Sequence, residues 1–185
     1  VLLLGVSTRL ATGCNANSGP SVPIAGTTAK PGVLAPEIRC TAARADDGQS
    51  VIRYEIRNVG SETIYIPSGR HMPYVLARDP DTLVIMQGVN RPDPNAIYEM
   101  PQIALTRPLA PAGALAGEVA LPPKMLRDHF DAHPTPPRLL HGAIQVRCEA
   151  GWGTTAITKR DQMSIHDFYT WQSMVGAGPF QVVLP

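Results

Sequence analysis

Between Val51 and Pro67 the chain reads VIRYEIRNVGSETIYIP, and its first half alternates strictly. Ile52, Tyr54 and Ile56 fall on one side, Arg53, Glu55 and Arg57 on the other. A period of two sets these residues on opposite faces of a strand, one buried and one wet. Asn58 and Gly60 follow where a tight reversal needs residues that tolerate positive φ. Thr63 to Ile66 resumes a β-branched and aromatic run, and Pro67 closes it. The pattern predicts an antiparallel hairpin.

Short strand signals recur on both sides of it. Ile38 to Ala43 is the first, closed by the turn residues Asp46-Asp47-Gly48. Pro73 to Ala77 turns through Arg78-Asp79-Pro80-Asp81 into Thr82 to Met86, and Gly88 to Pro94 reads as a loop. Ile97 to Met100 and Ile103 to Thr106 are further strands, and Pro108 to Gly117 is a connection leading into Glu118 to Leu121. Pro122 to Pro137 shows little apolar periodicity and room for one helical turn around Lys124 to Phe130. Leu139 to Cys148 is a strong strand, with Ile144 and Val146 alternating with Gln145 and Arg147. A turn at Gly151-Trp152-Gly153 then leads to Thr154 to Thr158. In Asp161 to Met174 the residues Ile165, Phe168 and Trp171 have helical spacing, but His166 and Tyr169 spoil the face, and the segment stays ambiguous. Phe180 to Leu184 is a closing strand. Many short strands, frequent turns and no long helix predict an all-β fold, an antiparallel β-sandwich.

Composition sharpens this picture. The chain of 185 residues suits one domain with a tail, and its 19 Pro and 16 Gly punctuate every plausible helix. A formal charge of +1 lacks the basic excess of a nucleic-acid binder. No run approaches the roughly 18 apolar residues of a membrane span. Asn15 to Pro31 is rich in Asn, Ser, Gly, Pro and Thr and reads as a tether. The expected organisation is therefore an extended N-terminal segment and linker over residues 1–31 and a sandwich domain over 32–185.

The start, VLLLGVSTRLATGCNANSG, resembles the tail of a bacterial lipoprotein signal across Leu10 to Cys14, where small residues precede a cysteine. It departs from that pattern in Ala11, where Leu is preferred, and in Arg9 within the apolar stretch. The resemblance implies lipidation of Cys14 and export to the cell envelope. The alternative is that Val1 to Val6 is a β-strand of the mature protein, which pairs or packs because an exposed apolar strand invites association. The segments RNVGSETIYI and LAPAGALAGEVALP resemble those of bacterial secreted immunoglobulin-like domains, BsuPI-like proteinase-inhibitor domains among them. That resemblance covers about Ile38 to Cys148 and implies an immunoglobulin-like sandwich; it carries over no inhibitory residue.

The three cysteines are the most informative chemistry-bearing residues. Cys40 in IRCTA and Cys148 in VRCEA lie in strands that one sandwich can bring within disulfide reach. Two buried thiols are the other reading, and the lipoprotein-like start favours the oxidised pair. Cys14 is then the odd one, suited to lipidation or intermolecular pairing.

His129 and His133, with Asp128 and Asp131, have the spacing of two imidazoles on one helical turn. The glutamate that follows the first His in zinc hydrolases is missing, and a solvated loop is the plainer reading. His71-Met72 with Met86 suggests a soft copper(I) site, yet the His-x-Met pair of periplasmic copper chaperones is absent from the sequence. Trp152, Tyr169 and Trp171 offer an aromatic platform or, more ordinarily, core packing. No nucleophile elbow, phosphate loop or dinucleotide fingerprint occurs.

The reading that follows is a non-enzymatic envelope or extracellular protein with no cofactor and no catalytic or metal residues. It would act by binding a protein partner or by self-association, touching membrane only through a lipid on Cys14. Two alternatives stand beside it: a surface-filament subunit that donates its N-terminal strand, and a periplasmic copper-binding protein.

Overall fold

The computed structural model describes residues 22–23, 32–91, 103–131, 133–138 and 140–184. In chain order they form β1 (Val22–Pro23), β2 (Glu37–Arg44), β3 (Ser50–Arg57), β4 (Ile64–Ser68), β5 (Tyr74–Asp79) and β6 (Thr82–Gln87). There follow β7 (Leu105–Leu109), β8 (Ala114–Ala120), β9 (Gly142–Trp152), the helix α1 (Ile165–Trp171) and β10 (Ser173–Leu184). The fold is all-β. One sheet has the order β1-β10-β9-β6-β5, a second β2-β3-β8, and a third pairs β4 with β7. All pairings are antiparallel except β6 with β9, which is parallel, so the large sheet is mixed where a purely antiparallel one was expected.

Val51 to Pro67 does not form a hairpin. β3 pairs with β2 on one side and β8 on the other, while β4 leaves for the third sheet and pairs with β7. The true hairpin is β2–β3, closed where Gly48 donates to Ala45 O and Ala45 to Gln49 O. Between β3 and β4 the chain turns a corner on Asn58, which is fully buried. Neither Asn58 nor Gly60 has positive φ. Instead the Asn58 side chain builds the bend: Nδ2 donates to Glu62 O at 2.7 Å and Leu109 O at 2.8 Å, and Oδ1 accepts from Gly60 N at 3.0 Å. Its backbone N–H donates to Gly113 O and its carbonyl accepts from Ala112 N, both at 3.0 Å. A buried amide with every group bonded costs little, whereas one left open costs about 1–3 kcal/mol. The paired strands β3/β8 and β4/β7 thus bend together, the corner by which strands pass from one sheet to another. Alternation along β3 was legible; the change of partner was not, because residues of either sheet present the same period.

Other expectations shift for similar reasons. Pro108 lies inside β7, opposite Tyr65, and the connection shrinks to residues 110–113 before β8 begins at Ala114. Lys124 to Phe130 forms no helical turn; Leu126 bridges Thr135 and Arg127 bridges Val75, extending the sheet beyond β5. Gly151-Trp152-Gly153 is not a turn: β9 runs through it, and Gly153 bridges Tyr65. Thr154 to Thr158 is not a strand but clasps β7, Ile157 O accepting from Thr106 N at 3.0 Å. The ambiguous segment resolves into α1, capped by Ser164, and the start of β10. Within the segment read as a linker, Val22–Pro23 pairs with Val175 and Gly176 of β10. The strands expected at Val1 to Val6 and Ile97 to Met100 lie outside the described residues.

The sheets face each other across one core. Ile38, Ile52, Tyr54 and Ile56 meet Leu83, Ile85, Ile144, Val146, Phe180 and Val182, with Ile64, Ile66 and Leu109 at the corner. Burying each such side chain fully contributes about 1.5–3 kcal/mol. Cys40 of β2 and Cys148 of β9 are joined across this core by a disulfide, with Cα atoms 5.9 Å apart. A second cluster, Val89, Ile103, Ala104, Ile157, Phe168 and Trp171, packs α1 against the loops at the end of β9.

Candidate functional site

The richest gathering of polar side chains lies on the face of the five-stranded sheet that points away from the main core. Alternation places Arg147 and Glu149 of β9 there, between Cys148 and its inward neighbours. Glu149 is 2 % exposed. A carboxylate so deeply enclosed needs a partner. Arg78, at the end of β5, supplies it with a bidentate fork, Nη1 to Oε1 at 2.7 Å and Nη2 to Oε2 at 2.9 Å. Arg147 Nε stands 3.7 Å from Oε1. The bond to Glu149 holds the Arg78 guanidinium above its ordinary pKa, against the opposing effect of burial. Beneath the ion pair sit Leu76, Val84 and Met86, flanked by Tyr74 and Met174.

Arg78 also senses Asp128, and with it the group extends to the loops at one end of the sheet. Asn90 Nδ2 lies 3.3 Å from Asp128 Oδ2, whereas Asp128 Oδ1 is buried with no hydrogen bond among the described residues. The Tyr74 hydroxyl is 3.2 Å from His129 Nδ1, and the His129 ring meets Tyr74 and Phe130 edge-on. Burial raises the Tyr74 phenol above its usual range; Arg127 offsets this and Asp128 adds to it. A phenol held protonated is a hydrogen-bonding group rather than a nucleophile or base at neutral pH. The Arg78–Glu149 pair is likewise engaged on both sides. The groups gathered here are hydrogen-bond donors, acceptors and ring edges.

The residues singled out in the sequence fare differently. Cys40 and Cys148 are brought together, and Cys14 lies outside the described residues. Asp128 and His129 join the polar group, but His133 is exposed, its N–H donating to Asp131 Oδ1 at 2.8 Å. Without a helix, the two imidazoles do not share a face. His71 is exposed; Met72 Sδ accepts from Gln87 Nε2 at 3.6 Å, and Met86 is enclosed beneath the sheet face. Among the described residues no three His, Cys, Asp or Glu side chains gather as a metal centre requires. Trp152 belongs to the main core and Trp171 to the second cluster, its ring 5.2 Å from Phe168, so the aromatic platform does not form.

Arg78, Tyr74 and Glu149 were missed. Glu149 carried a signal: a lone carboxylate within CEAGWG, an otherwise small and apolar run, sits where a strand is enclosed on both faces. Its partner, seventy-one residues away in sequence, carried none. Comparison with protein-family models, curated proteins and solved structures finds no match for this chain.

Proposed function

We propose that this protein is a non-enzymatic component of the bacterial envelope, an immunoglobulin-like sandwich that binds a protein partner and is held to a membrane by lipid on Cys14. The observation that carries the reading is the Cys40–Cys148 bridge between the facing sheets, since structural disulfides belong to oxidising compartments. The loops around Asn90, Asp128 and His129 supply the binding surface. They stand at one end of a disulfide-tied scaffold, the usual place for recognition elements, and their groups are disposed to donate and accept hydrogen bonds.

The test uses the protein expressed in its own bacterial host. A photo-crosslinking residue at position 133 should give a discrete adduct with an envelope protein, and labelling with an alkynyl fatty acid should depend on Cys14. Reduced Cys40 and Cys148 in the cytoplasmic fraction, with no adduct, would overturn both parts of the reading. A second reading, assembly by a donated N-terminal strand, is favoured by one observation: β1 adds to the edge strand β10. It predicts multimers that deletion of residues 1–23 converts to monomers.

A further inference from the structure

The corner that Asn58 builds gathers three loop tips, and each presents apolar side chains. Leu34 is 64 % exposed and Val59 41 %, and Ala35, Ala110, Pro111 and Ala112 are exposed beside them. Leu34 Cβ lies 3.7 Å from where a Cβ on Gly60 would stand, and Ala112 N donates to Asn58 O at 3.0 Å, so these residues form one patch. Single exposed apolar residues need no explanation, but a contiguous patch marks a contact surface. Turn tips ordinarily carry Gly, Asn, Asp or Ser. Ala112 instead holds φ at 60°, a left-handed conformation that Gly or Asn adopts more readily, and shows a methyl group to solvent. The Asn58 bonds to Glu62 O and Leu109 O keep the tips on a rigid frame.

The patch lies at the end of the sandwich that β1 reaches. The disulfide sets Cys40 beside Cys148, whose partner in β10 is Ala177, and Arg44 shares a cleft with Leu184. β2 and β10 therefore run the same way, which puts Leu34 at the end where β10 begins. β1 pairs there, Val22 with Gly176 and Pro23 with Val175. Val22 follows Cys14 by eight residues, a length of chain that spans at most about 28 Å. The opposite end differs, its turns exposing Asp46, Asp47, Asp79 and Asp81. We propose that the patch rests on a phospholipid bilayer, with Leu34 and Val59 entering the interfacial layer and the acidic turns facing away. The inference depends on the lipid at Cys14 proposed above, because that anchor keeps this end of the domain within a short tether of the membrane. The patch is aliphatic, without the Trp, Tyr or Arg that anchor protein interfaces. Aliphatic side chains on projecting tips suit the boundary between headgroups and acyl chains, which demands no matching shape. The tether supplies a high effective concentration, so a contact too weak to hold the domain by itself is enough to orient it.

A chemical tether tests this apart from lipidation itself. The purified disulfide-bonded chain is coupled through Cys14 to a maleimide phospholipid in phosphatidylcholine vesicles, with and without brominated acyl chains. Leu34→Trp, Val59→Trp and Val183→Trp are compared, since Val183 is 72 % exposed at the opposite end, beside Gly48 and Gln49. Trp152 and Trp171 give all three the same buried background. Bromine should quench Leu34→Trp and Val59→Trp at least about twofold more than Val183→Trp, and their emission should shift to shorter wavelength. Adding Leu34→Ser to Val59→Trp should lower the quenching, and circular dichroism checks that each variant keeps its fold. No quenching in Leu34→Trp and Val59→Trp, or equal quenching in all three variants, overturns the inference and leaves lipidation of Cys14 untouched. Failure of Cys14 to take up fatty acid in the host, with quenching retained on the chemical tether, would overturn the anchor and not the affinity of the patch for lipid.

Discussion

The two halves of β9 show how one strand meets two different demands. From Gly142 to Arg147 it alternates as a half-buried strand should, Ile144 and Val146 inward, Ala143 and Gln145 outward. From Cys148 to Trp152 every residue is buried. The inward side is sealed by the apolar core around Cys148, Ala150 and Trp152. The other side is sealed by polar groups that must each find partners: Glu149 by the Arg78 fork, Gly151 by the Gln172 amide, and Gly153 by the Trp171 indole. Gln172 reproduces a strand's pairing with its side chain, Oε1 accepting from Val89 N and Nε2 donating to Val89 O, each at 2.9 Å. The first half tolerates imperfection because water finishes its outer face. The second half has no water to finish it, so its polar groups should be the sensitive ones.

The strongest way to break that comparison is to strip Glu149 of its bidentate partner. Arg78→Met should destabilise the fold by about 3 kcal/mol, the low end of what breaking a buried pair costs, because Glu149 keeps only Arg147, whose Nε stands 3.7 Å away. The double variant Arg78→Met/Glu149→Met should recover most of that loss, because no carboxylate remains to be stranded. Urea denaturation of the three proteins decides it. If the double variant is no better than the single, the ion pair's packing matters more than its charge.

Cutting the covalent tie should come next. The disulfide spans a sequence separation of 108 residues. In the chain-entropy view a loop of that size is worth about 4–5 kcal/mol, and measured losses for native bridges run from about 2 to 5 kcal/mol. Cys40→Ala should match the effect of reduction, and Cys14→Ala should change nothing in the melting temperature. Equal stability of oxidised and reduced protein would show that the sheets are held by the core alone.

How much of this was legible follows from where the signal resides. A half-buried strand announces itself, and Ile52, Tyr54 and Ile56 or Ile144 and Val146 did so. The pairing of Cys40 with Cys148 was legible because both cysteines fell on such strands. A strand sealed on both faces gives no alternation, and its glycines read as punctuation; hence Gly151-Trp152-Gly153 looked like a turn. Partner choice was least legible of all. Asn58 reads as a turn residue in either a hairpin or a corner, and only its bonds to Leu109 O and Gly113 O, from a distant segment, tell them apart. The Arg78–Glu149 pair is hidden for the same reason.

A milder change tests the glycine face directly. A Cβ on Gly153 would collide with the Trp171 ring at Cε2, and one on Gly151 with Gln172 Oε1. Gly153→Ala must displace a ring held at Nε1 by Thr155 O at 3.1 Å, so a loss of about 1–3 kcal/mol is expected. Ala143→Gly, on the exposed outer side of the first half, removes only a strand former and should cost about 1 kcal/mol or less. If the two variants melt together, the second half of β9 is no more constrained than the first.

The smallest effect expected is an acid titration of the helix that supplies this cover. α1 begins with a capping box: Ser164 Oγ accepts from Asp167 N at 3.1 Å, and Asp167 Oδ2 accepts from Ser164 Oγ at 2.7 Å. Those bonds from Ser164 hold the Asp167 carboxyl below the usual value of 3.8, with His166 adding to the effect. A carboxyl whose pKa is depressed by folding stabilises the fold above its unfolded pKa, and that contribution disappears as pH falls through the folded value. Cap bonding should therefore hold at neutral pH and fade in the acid range below the ordinary carboxylate value. Trp171, the last residue of α1, reports on it. Its fluorescence should change at lower pH than global unfolding requires if α1 loosens by itself, and together with unfolding if the polar seal on β9 holds it in place. Asp167→Asn should abolish the local step and leave the rest of the acid transition unchanged. If the variant titrates as the parent does, the cap contributes nothing to the seal, and Gln172 and Trp171 hold the second half of β9 without help from the helix that carries them.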